Sequence, residues 1–189
     1  MKDMAEGTWS VRESSDVDFN DITQIYGHWV EHGLASFELV PPSPATMAER
    51  RLSILADGFP YLVAVDSARE LLGFGYVSWY RTRPAYRFAC EDSVYVSPIA
   101  LRRGVGRQLL DELVCRCTAM EFRLMVAVIG DSGNAPSIKL HQSAGFEMTG
   151  VLPSIGWKQG RWVDTVLMAR PLGAGNHDPP VERGRLGQN

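Results

Sequence analysis

A turn rich in glycine and arginine is the first segment whose residue types could form a binding site. It reads Leu101-Arg102-Arg103-Gly104-Val105-Gly106-Arg107 and stands between the apolar run Val94-Tyr95-Val96 and an amphipathic run. Its two glycines let consecutive backbone N–H groups converge without a Cβ clash, and its three arginines add positive charge. Because the first N–H groups of a helix are unpaired, a turn that opens a helix suits a phosphate. The segment predicts an anionic cofactor, although an ordinary strand-to-helix turn has the same spacing.

The elements that would position this turn are predicted from hydrophobic spacing. Helices are predicted at residues 16–33, 46–56, directly after the turn and at 134–144, and strands at 8–12, 61–65, 71–80, 90–96, 124–129, 146–152 and 162–169. The continuously apolar residues 124–129 are typical of a central strand that is covered on both faces. This alternation of strands and helices predicts an α/β fold.

Composition limits the classes of function. The 189 residues, 45% of them hydrophobic, suffice for one domain with a core, here residues 1–172. Residues 173–189 turn to Gly, Pro, Asn and charge, so we expect a disordered tail. The net charge of −3 argues against a nucleic-acid partner. Three cysteines without zinc-like spacing, no apolar run of roughly 20 residues and no signal sequence predict a cytoplasmic protein without a membrane partner.

The order of these motifs resembles the GNAT superfamily of acyl-CoA-dependent N-acetyltransferases. After the turn and its helix come an apolar strand and then Asn134, Ser137, Leu140 and Gly145-Phe146 at the spacing of that superfamily. The segments Ser137-Ile138-Lys139-Leu140-His141 and Gly156-Trp157-Lys158-Gln159-Gly160-Arg161-Trp162 are similar to the branch of phosphinothricin and methionine sulfone or sulfoximine acetyltransferases. The likeness runs from about Trp9 to Leu172.

The resemblance implies a mixed, mostly antiparallel sheet flanked by helices, with acetyl-CoA in a V-shaped opening between two splayed parallel strands. Those strands would be residues 90–96 and 124–129. Val94, Tyr95 and Val96 would bond the pantetheine arm, and the turn from Arg102 to Arg107 would surround the pyrophosphate. Asn134 and Ser137 would contact the cofactor from the other side, and no metal is implied. The chain departs from the family at Leu101, where Gln or Arg is usual.

The resemblance also implies the catalytic groups. An amine must lose a proton before it attacks a thioester, and Glu91 occupies the place of the family's base. A backbone amide near Tyr95 or Val96 would stabilise the oxyanion. His141 stands where many GNAT enzymes carry a tyrosine that protonates the departing thiolate, so its role is either proton transfer or substrate binding.

The acceptor site is implied by two loops. Arg83 and Tyr86 match the loop that holds an amino-acid substrate in this branch, and an arginine suits a carboxylate or phosphinate. Ser36 and Phe37 occupy the matching first substrate loop. We therefore expect acetyl transfer to the amine of a small amino acid or analogue by a homodimer. The alternative is a non-catalytic acyl-CoA-binding sensor, and the sequence does not fix the acceptor.

Two further patterns suggest other chemistry. His28-Trp29-Val30-Glu31-His32 matches the H-x-x-E-H signature of a group of zinc proteases, but the predicted helix ends at Gly33 and no third ligand follows. Solvent-facing histidines explain this pattern better. Cys90 suggests a covalent acetyl-cysteine route, yet strand alternation puts Cys90 on the face opposite Glu91 and therefore in the core.

Overall fold

Seven strands form a single open sheet in the computed structural model, which describes residues 9–180. The strands are β1 Trp9–Glu13, β2 Tyr61–Asp66, β3 Leu71–Trp79, β4 Ala89–Val96, β5 Leu124–Gly130, β6 Glu147–Lys158 and β7 Arg161–Pro171. Their order across the sheet is β1-β2-β3-β4-β5-β7-β6. The pair β4 and β5 is parallel, and the other neighbouring strands are antiparallel. The predicted α/β fold with a mixed, mostly antiparallel sheet is confirmed.

Four helices cover the two faces of this sheet. They are α1 Phe19–His32, α2 Pro44–Ala56, α3 Val105–Ala119 and α4 Ala135–Ser143. The stripe of α3 that includes Leu109 and Leu113 packs in one core with Cys90, whereas Ile22 of α1 packs in a second core with Phe74. Because Phe74 pairs with Tyr95, and Tyr95 and Cys90 point to opposite faces of β4, the two cores lie on opposite faces of the sheet.

The parallel strands β4 and β5 pair only over their first halves. Their pairing runs from Ala89 opposite Leu124 to Asp92 opposite Ala127. Beyond that point β4 stays on β3 as far as Val96, and β5 stays on β7 as far as Gly130. The two strands therefore diverge after Asp92, and the backbone of each faces a gap. This is the V-shaped opening that the sequence predicts between residues 90–96 and 124–129.

The strand after α4 is longer than its sequence predicts. Instead of ending at Leu152, β6 continues to Lys158, with register shifts at Met148/Gly150 and at Leu152/Gly156. Bulges of this kind let an edge strand pass a proline, here Pro153, because a proline on the free edge breaks no ladder bond. Likewise, the predicted helix 16–33 is divided into a 3-10 turn, Asp16–Asp18, and α1.

The structure describes the C-terminal part of the chain as far as residue 180. Residues 173–180 form turns and bends after β7, and the carbonyls of Asp178 and Pro179 lie 3.4 and 3.3 Å from Arg123 Nη2. Residues 181–189 fall outside the described part, so the disordered tail stays a prediction, as does the single domain at 1–172.

No helix within residues 9–180 combines the length and hydropathy needed to cross a bilayer.

Candidate active site

A cleft of about 570 Å³ opens at the divergence of β4 from β5. Its walls include Trp29 and ten of the predicted cofactor residues, which are Val94, Tyr95, Val96, Arg102, Gly104, Val105, Gly106, Arg107, Asn134 and Ser137. A smaller cavity of about 60 Å³ continues it toward Asp92 and His141. Both cavities share Val94, Tyr95, Asn134 and Ser137. An elongated ligand at the start of α3 can therefore extend to the point where the strands separate.

The N-terminus of α3 forms one end of the cleft. Gly104 caps the helix with φ +90°, a conformation that side-chain-bearing residues rarely adopt. A Cβ added at Gly106 would lie 3.1 Å from Val96 Cγ2 and 3.4 Å from Leu140 Cδ2, two residues of the cleft wall. The glycines thus keep the helix N-terminus open, and its unpaired N–H groups fit the phosphates of a nucleotide cofactor.

The three arginines of the turn differ in direction. Arg102 lines the cleft, and its own φ is +61°. Arg107 also lines the cleft, but its guanidinium is bound to Asp111 at 2.6 Å and to the carbonyl of Ser143 at 2.7 Å. Arg103 lies over the ring of Trp9, 5.7 Å from its centre. Arg103 and Arg107 thus have contacts within the protein, and the roles of all three arginines in binding phosphate stay predictions.

The opposite wall of the cleft is built by the N-terminus of α4. Asn134 caps this helix, because its Oδ1 accepts from the backbone N–H of Ser137 at 3.3 Å. On the β4 side, Trp29 Nε1 donates to the carbonyl of Val96 at 2.8 Å. This indole closes the cleft beside the strand edge that the resemblance assigns to pantetheine.

Glu91 is held on the face of β4 that carries α1 and α2. It alternates with Cys90, which is fully buried on the other face, so the predicted orientations are confirmed. Burial raises the pKa of Glu91 to about 7, against the opposing charge of Arg81 and with a further increase from Asp92. A carboxylate with such a pKa can take a proton from an amine near neutral pH.

His141 lies beside the gap between β4 and β5, on the face of the sheet opposite Glu91. Its Nε2 lies 3.0 Å from Asp92 Oδ2, and its Nδ1 lies 2.8 Å from the carbonyl of Ser137. Glu91 and Asp92 are neighbours on β4 and therefore point to opposite faces. The two predicted catalytic residues therefore approach β4 from opposite faces. His141 lines the smaller cavity, whereas Glu91 is not among the residues that line either cavity.

The predicted loop with Ser36 and Phe37 covers the Glu91 face. Ser36 is buried, and its Oγ lies 3.3 Å from Tyr26 Oη. Lys158 Nζ, which is itself buried, donates to the carbonyl of Ser36 at 2.6 Å. Burial lowers the pKa of Lys158, although the charge of Glu38 opposes this effect. Phe37 is partly exposed and lies against Gly156, where any Cβ would overlap its ring.

The second predicted loop is more open. Arg83 is exposed and precedes the 3-10 turn Pro84–Tyr86, and Tyr86 packs edge-on against Tyr80 with ring centres 5.9 Å apart. Arg81 lies over the ring of Tyr80 at 4.4 Å, and its charge acts on Glu91. Arg83 and Tyr86 stay predictions for the acceptor site.

The histidine pair of α1 has a structural role. The rings of His28 and His32 stack with centres 4.6 Å apart, and His32 Nδ1 lies 3.1 Å from the carbonyl of His28. Across residues 9–180, no group of three His, Cys, Asp or Glu side chains is arranged to hold a metal ion.

Comparison with known proteins assigns the family. A family model described as the acetyltransferase (GNAT) family matches residues 25–146. The chain belongs to the GNAT acetyltransferases. The matched range of this GNAT acetyltransferase begins in α1 and ends directly before β6, so it includes the turn at Gly104, β4, β5 and α4.

Its relatives place this GNAT acetyltransferase near one branch of the family. It is 49% identical to a phosphinothricin N-acetyltransferase of Alcaligenes faecalis over 178 residues, 94% of this chain and 90% of that one. It is 38% identical to an L-methionine sulfoximine/L-methionine sulfone acetyltransferase of Pseudomonas paraeruginosa over 84% of this chain and 92% of that protein. A phosphinothricin acetyltransferase from Sinorhizobium meliloti, solved with acetyl-CoA, superposes with a TM-score of 0.89 at 46% identity, covering 93% and 94% of the two chains. The predicted resemblance is confirmed.

Three residues of the site escape sequence reasoning. Asp92 stands beside Glu91, Lys158 lies in the branch motif Gly156–Trp162 with no role assigned to it, and Trp29 lies in the helix of the zinc-like motif. Strand alternation would have placed Asp92 on the same face of β4 as Cys90, which is the face that α3 covers. The partners of Lys158 and Trp29 are 122 and 67 residues away in sequence, and no local pattern reports such contacts.

The contact between Gly156 and Phe37 gives a first prediction. We expect Gly156→Ala to displace the ring of Phe37, because the new methyl group overlaps it and an exposed ring can rotate away. If Phe37 lines the acceptor site, the acceptor KM rises by about tenfold, whereas the Kd of acetyl-CoA stays the same. Gly150→Ala is the matched control, since no atom lies within 4 Å of a Cβ there. An unchanged acceptor KM removes Phe37 from the site.

Proposed function

We propose that this GNAT acetyltransferase moves the acetyl group of acetyl-CoA to the α-amine of a small amino acid or analogue. Acetyl-CoA-dependent N-acetyl transfer is the reaction class of its family, and acetyl-CoA is the cosubstrate. The names of its relatives supply the acceptor class, which includes phosphinothricin, methionine sulfone and methionine sulfoximine.

One observation carries this proposal: the cleft at the α3 N-terminus and the smaller cavity beside Asp92 and His141 share lining residues on β4 and at the start of α4. The open N-terminus of α3 fits a diphosphate. The free edge of β4 beyond Asp92 fits an extended amide-bearing arm, because its backbone groups toward β5 have no strand partner there. The thioester at the end of that arm would then lie where Glu91 and His141 approach.

The chemistry divides between the two faces of β4. Glu91 removes a proton from the ammonium group of the acceptor, which is largely charged near pH 7. A backbone N–H near Tyr95 or Val96 stabilises the oxyanion that forms when the amine attacks the thioester. When the adduct collapses, the C–S bond breaks and the sulphur needs a proton. His141, on the far side of the gap, is the group that donates it.

The acceptor's acid group is assigned to Arg83, with Tyr86, Ser36 and Phe37 around the side chain. Arginine donates two parallel hydrogen bonds to a carboxylate or phosphinate. The exposed position of Arg83 leaves its guanidinium available to a ligand.

Thiol release from acetyl-CoA tests the function. The panel contains phosphinothricin, methionine sulfone, methionine sulfoximine and ordinary L-amino acids, each beside its decarboxylated amine. We expect at least one amino acid to be acetylated, with release of the coenzyme A thiol. In the parent its decarboxylated amine should react with a much higher KM than the amino acid. In Arg83→Ala this difference in KM should disappear. Binding of acetyl-CoA without thiol release from any acceptor favours the non-catalytic sensor instead.

We also propose that the protein acts as a homodimer through its β6 edge, in the cytoplasm as the sequence predicts. Apolar side chains stand exposed on β6 and β7, namely Met148, Val151, Leu152, Ile155, Trp157 and Trp162. An edge strand with this much apolar surface is normally covered. A second copy offers the same patch, as a two-fold interface requires.

Light scattering tests the dimer. We expect a mass of two chains for the parent and of one chain for Ile155→Asp, because a carboxylate buried in an apolar interface loses its hydration. Leu52→Asp is the control, since Leu52 is comparably exposed but lies on α2. A parent that runs as one chain contradicts the proposal.

A further inference from the structure

We propose that Asp92 is a positioning residue that keeps His141 positively charged at the apex of the β4–β5 gap. His141 then serves as the acid for the departing thiolate and not as the base for the amine. This inference rests on the proposed acetyl transfer and assigns a role to a residue that the sequence analysis passed over.

The hydrogen bonds of the imidazole ring fix its protonation. The carbonyl of Ser137 can only accept, so Nδ1, 2.8 Å away, carries a proton. If the ring were neutral, Nε2 would direct a lone pair at Asp92 Oδ2, 3.0 Å away. Either the ring is charged or Asp92 is protonated. The ion pair is the favoured form, because a hydrogen-bonded carboxylate stabilises the charged form of the imidazole.

The pair is almost fully buried beside the smaller cavity. The side chains of His141 and Asp92 are 6% and 2% exposed, and the ring of Phe146 stands edge-on to the imidazole with centres 5.1 Å apart. Asp92 Oδ1 is buried without a hydrogen-bond partner among the described residues. A buried ion pair with one unsatisfied oxygen contributes little to the stability of a fold. Such an arrangement is typical of a functional site.

The charges around α4 leave Asp92 as the group that controls His141. Burial alone would lower the pKa of His141, but the hydrogen bond and charge of Asp92, with the carbonyl of Ser137, outweigh it and raise the pKa. The imidazolium therefore persists to higher pH than that of an ordinary histidine and is lost as the pH rises further. The other charged side chains near this helix are Glu91 on the far face of β4, Lys139, which is exposed, and Arg107 and Arg170, which bind the carbonyls of Ser143 and Ala144.

Acetyl transfer from the thioester to an ammonium group releases one proton overall. The nitrogen loses two protons, the first to Glu91 and the second to solvent once the adduct has formed, and the sulphur gains one. The adduct collapses, the C–S bond breaks, and its electron pair goes to sulphur while the Nε2 proton of His141 passes to the same atom. Asp92 stays a carboxylate and the ring becomes neutral, with Nδ1 still protonated and donating to the carbonyl of Ser137. Solvent returns a proton to Nε2, and Glu91 releases to solvent the proton that it took from the amine.

Histidine NMR of the whole protein tests the ion pair without any turnover. The chain has four histidines, and the signal missing from His141→Gln identifies the ring of interest. In the parent we expect His141 to be protonated at pH 7. In Asp92→Asn its titration should move down by about one pH unit or more. A His141 that is neutral at pH 7, or that titrates alike in both proteins, overturns the proposal.

Asp18→Asn is the matched control. Asp18 is also a buried aspartate, and it forms an ion pair with Arg12 at 2.7 Å near the start of α1. Its replacement removes a comparable charge far from α4, so the titration of His141 should not change. If Asp92→Asn does not fold, the smaller neutral variant Asp92→Ser provides the same measurement.

The pH profile of kcat tests the acid role. We expect the alkaline limb of Asp92→Asn to move to lower pH and kcat at pH 8 to fall by roughly 10- to 100-fold. The Kd of coenzyme A should change less than about twofold, because Asp92 is not among the residues that line the cleft at the α3 N-terminus. An alkaline limb that stays in place overturns the acid role. If no acceptor is acetylated by the parent, the proposed function fails, and the NMR titration still decides whether Asp92 holds His141 charged.

Discussion

Replacing Glu91 with glutamine lowers kcat by about 10²- to 10⁴-fold, the range that a general base contributes. The amide has the shape of the carboxylate but cannot accept the amine proton. In the parent, kcat/KM should rise with pH through about 7, because burial raises the pKa of Glu91 to about 7 and only the ionised form acts as a base. The variant should lose this acidic limb. Thiol release measured between pH 5.5 and 9 provides both readouts.

The stability of the same variant separates a lost base from a damaged fold. Because burial raises the pKa of Glu91 from 4.5 to about 7, the folded protein binds its proton more tightly than the unfolded chain does. The ionised carboxylate therefore lowers the free energy of unfolding above pH 7. We expect Glu91→Gln to raise that free energy at pH 8 by about 1–2 kcal/mol, less than the full shift because the side chain is partly solvated, and the gain should shrink toward pH 5.

Denaturant unfolding at pH 8 and pH 5.5 measures this difference. Glu147→Gln, on the exposed start of β6, is the control for loss of a surface carboxylate. A Glu91→Gln enzyme that keeps its rate and its acidic limb would show that another group removes the amine proton.

The sequence predicts the parts of this site that depend on local patterns. The turn at Gly104 and Gly106 needs only backbone freedom and a following amphipathic helix, and α3 begins where that pattern begins. The strand β5 is a continuous apolar run, and the family motif places it beside β4 in the sheet. Local pattern and overall fold agree here, so the cofactor cleft follows from the residues that line it.

The sequence does not predict contacts between distant segments. Glu91 and Asp92 look equivalent as neighbouring acids, and only the packing of α4 against β4 gives Asp92 a histidine partner 49 residues away. Lys158 lies in a segment with glycines and a proline, which reads as a loop until bulges extend β6 through it. Such positions are set by tertiary packing, which overrides the local preference of a short segment.

A large side chain at Gly106 should fill the space at the N-terminus of α3 and abolish the binding of acetyl-CoA. We expect Gly106→Leu to raise the Kd of acetyl-CoA by about 100-fold or more, because its Cβ would already lie 3.1 Å from Val96 Cγ2 and the longer side chain must occupy the cleft. Loss of one or two charge-assisted hydrogen bonds from phosphate to backbone N–H groups, about 1.5–3 kcal/mol each, accounts for a change of this size. Calorimetric titration with acetyl-CoA measures it.

Two further variants separate lost binding from lost structure. Ala119→Leu adds the same bulk at the exposed far end of α3 and should leave the Kd unchanged. Arg102→Glu leaves the helix packing intact, since Arg102 is exposed at the cleft, and should weaken acetyl-CoA by roughly tenfold, more at low salt than at high salt. If Gly106→Leu folds and still binds acetyl-CoA like the parent, the diphosphate lies elsewhere, and both Glu91 and the Asp92–His141 pair lose the ligand that gives them their roles.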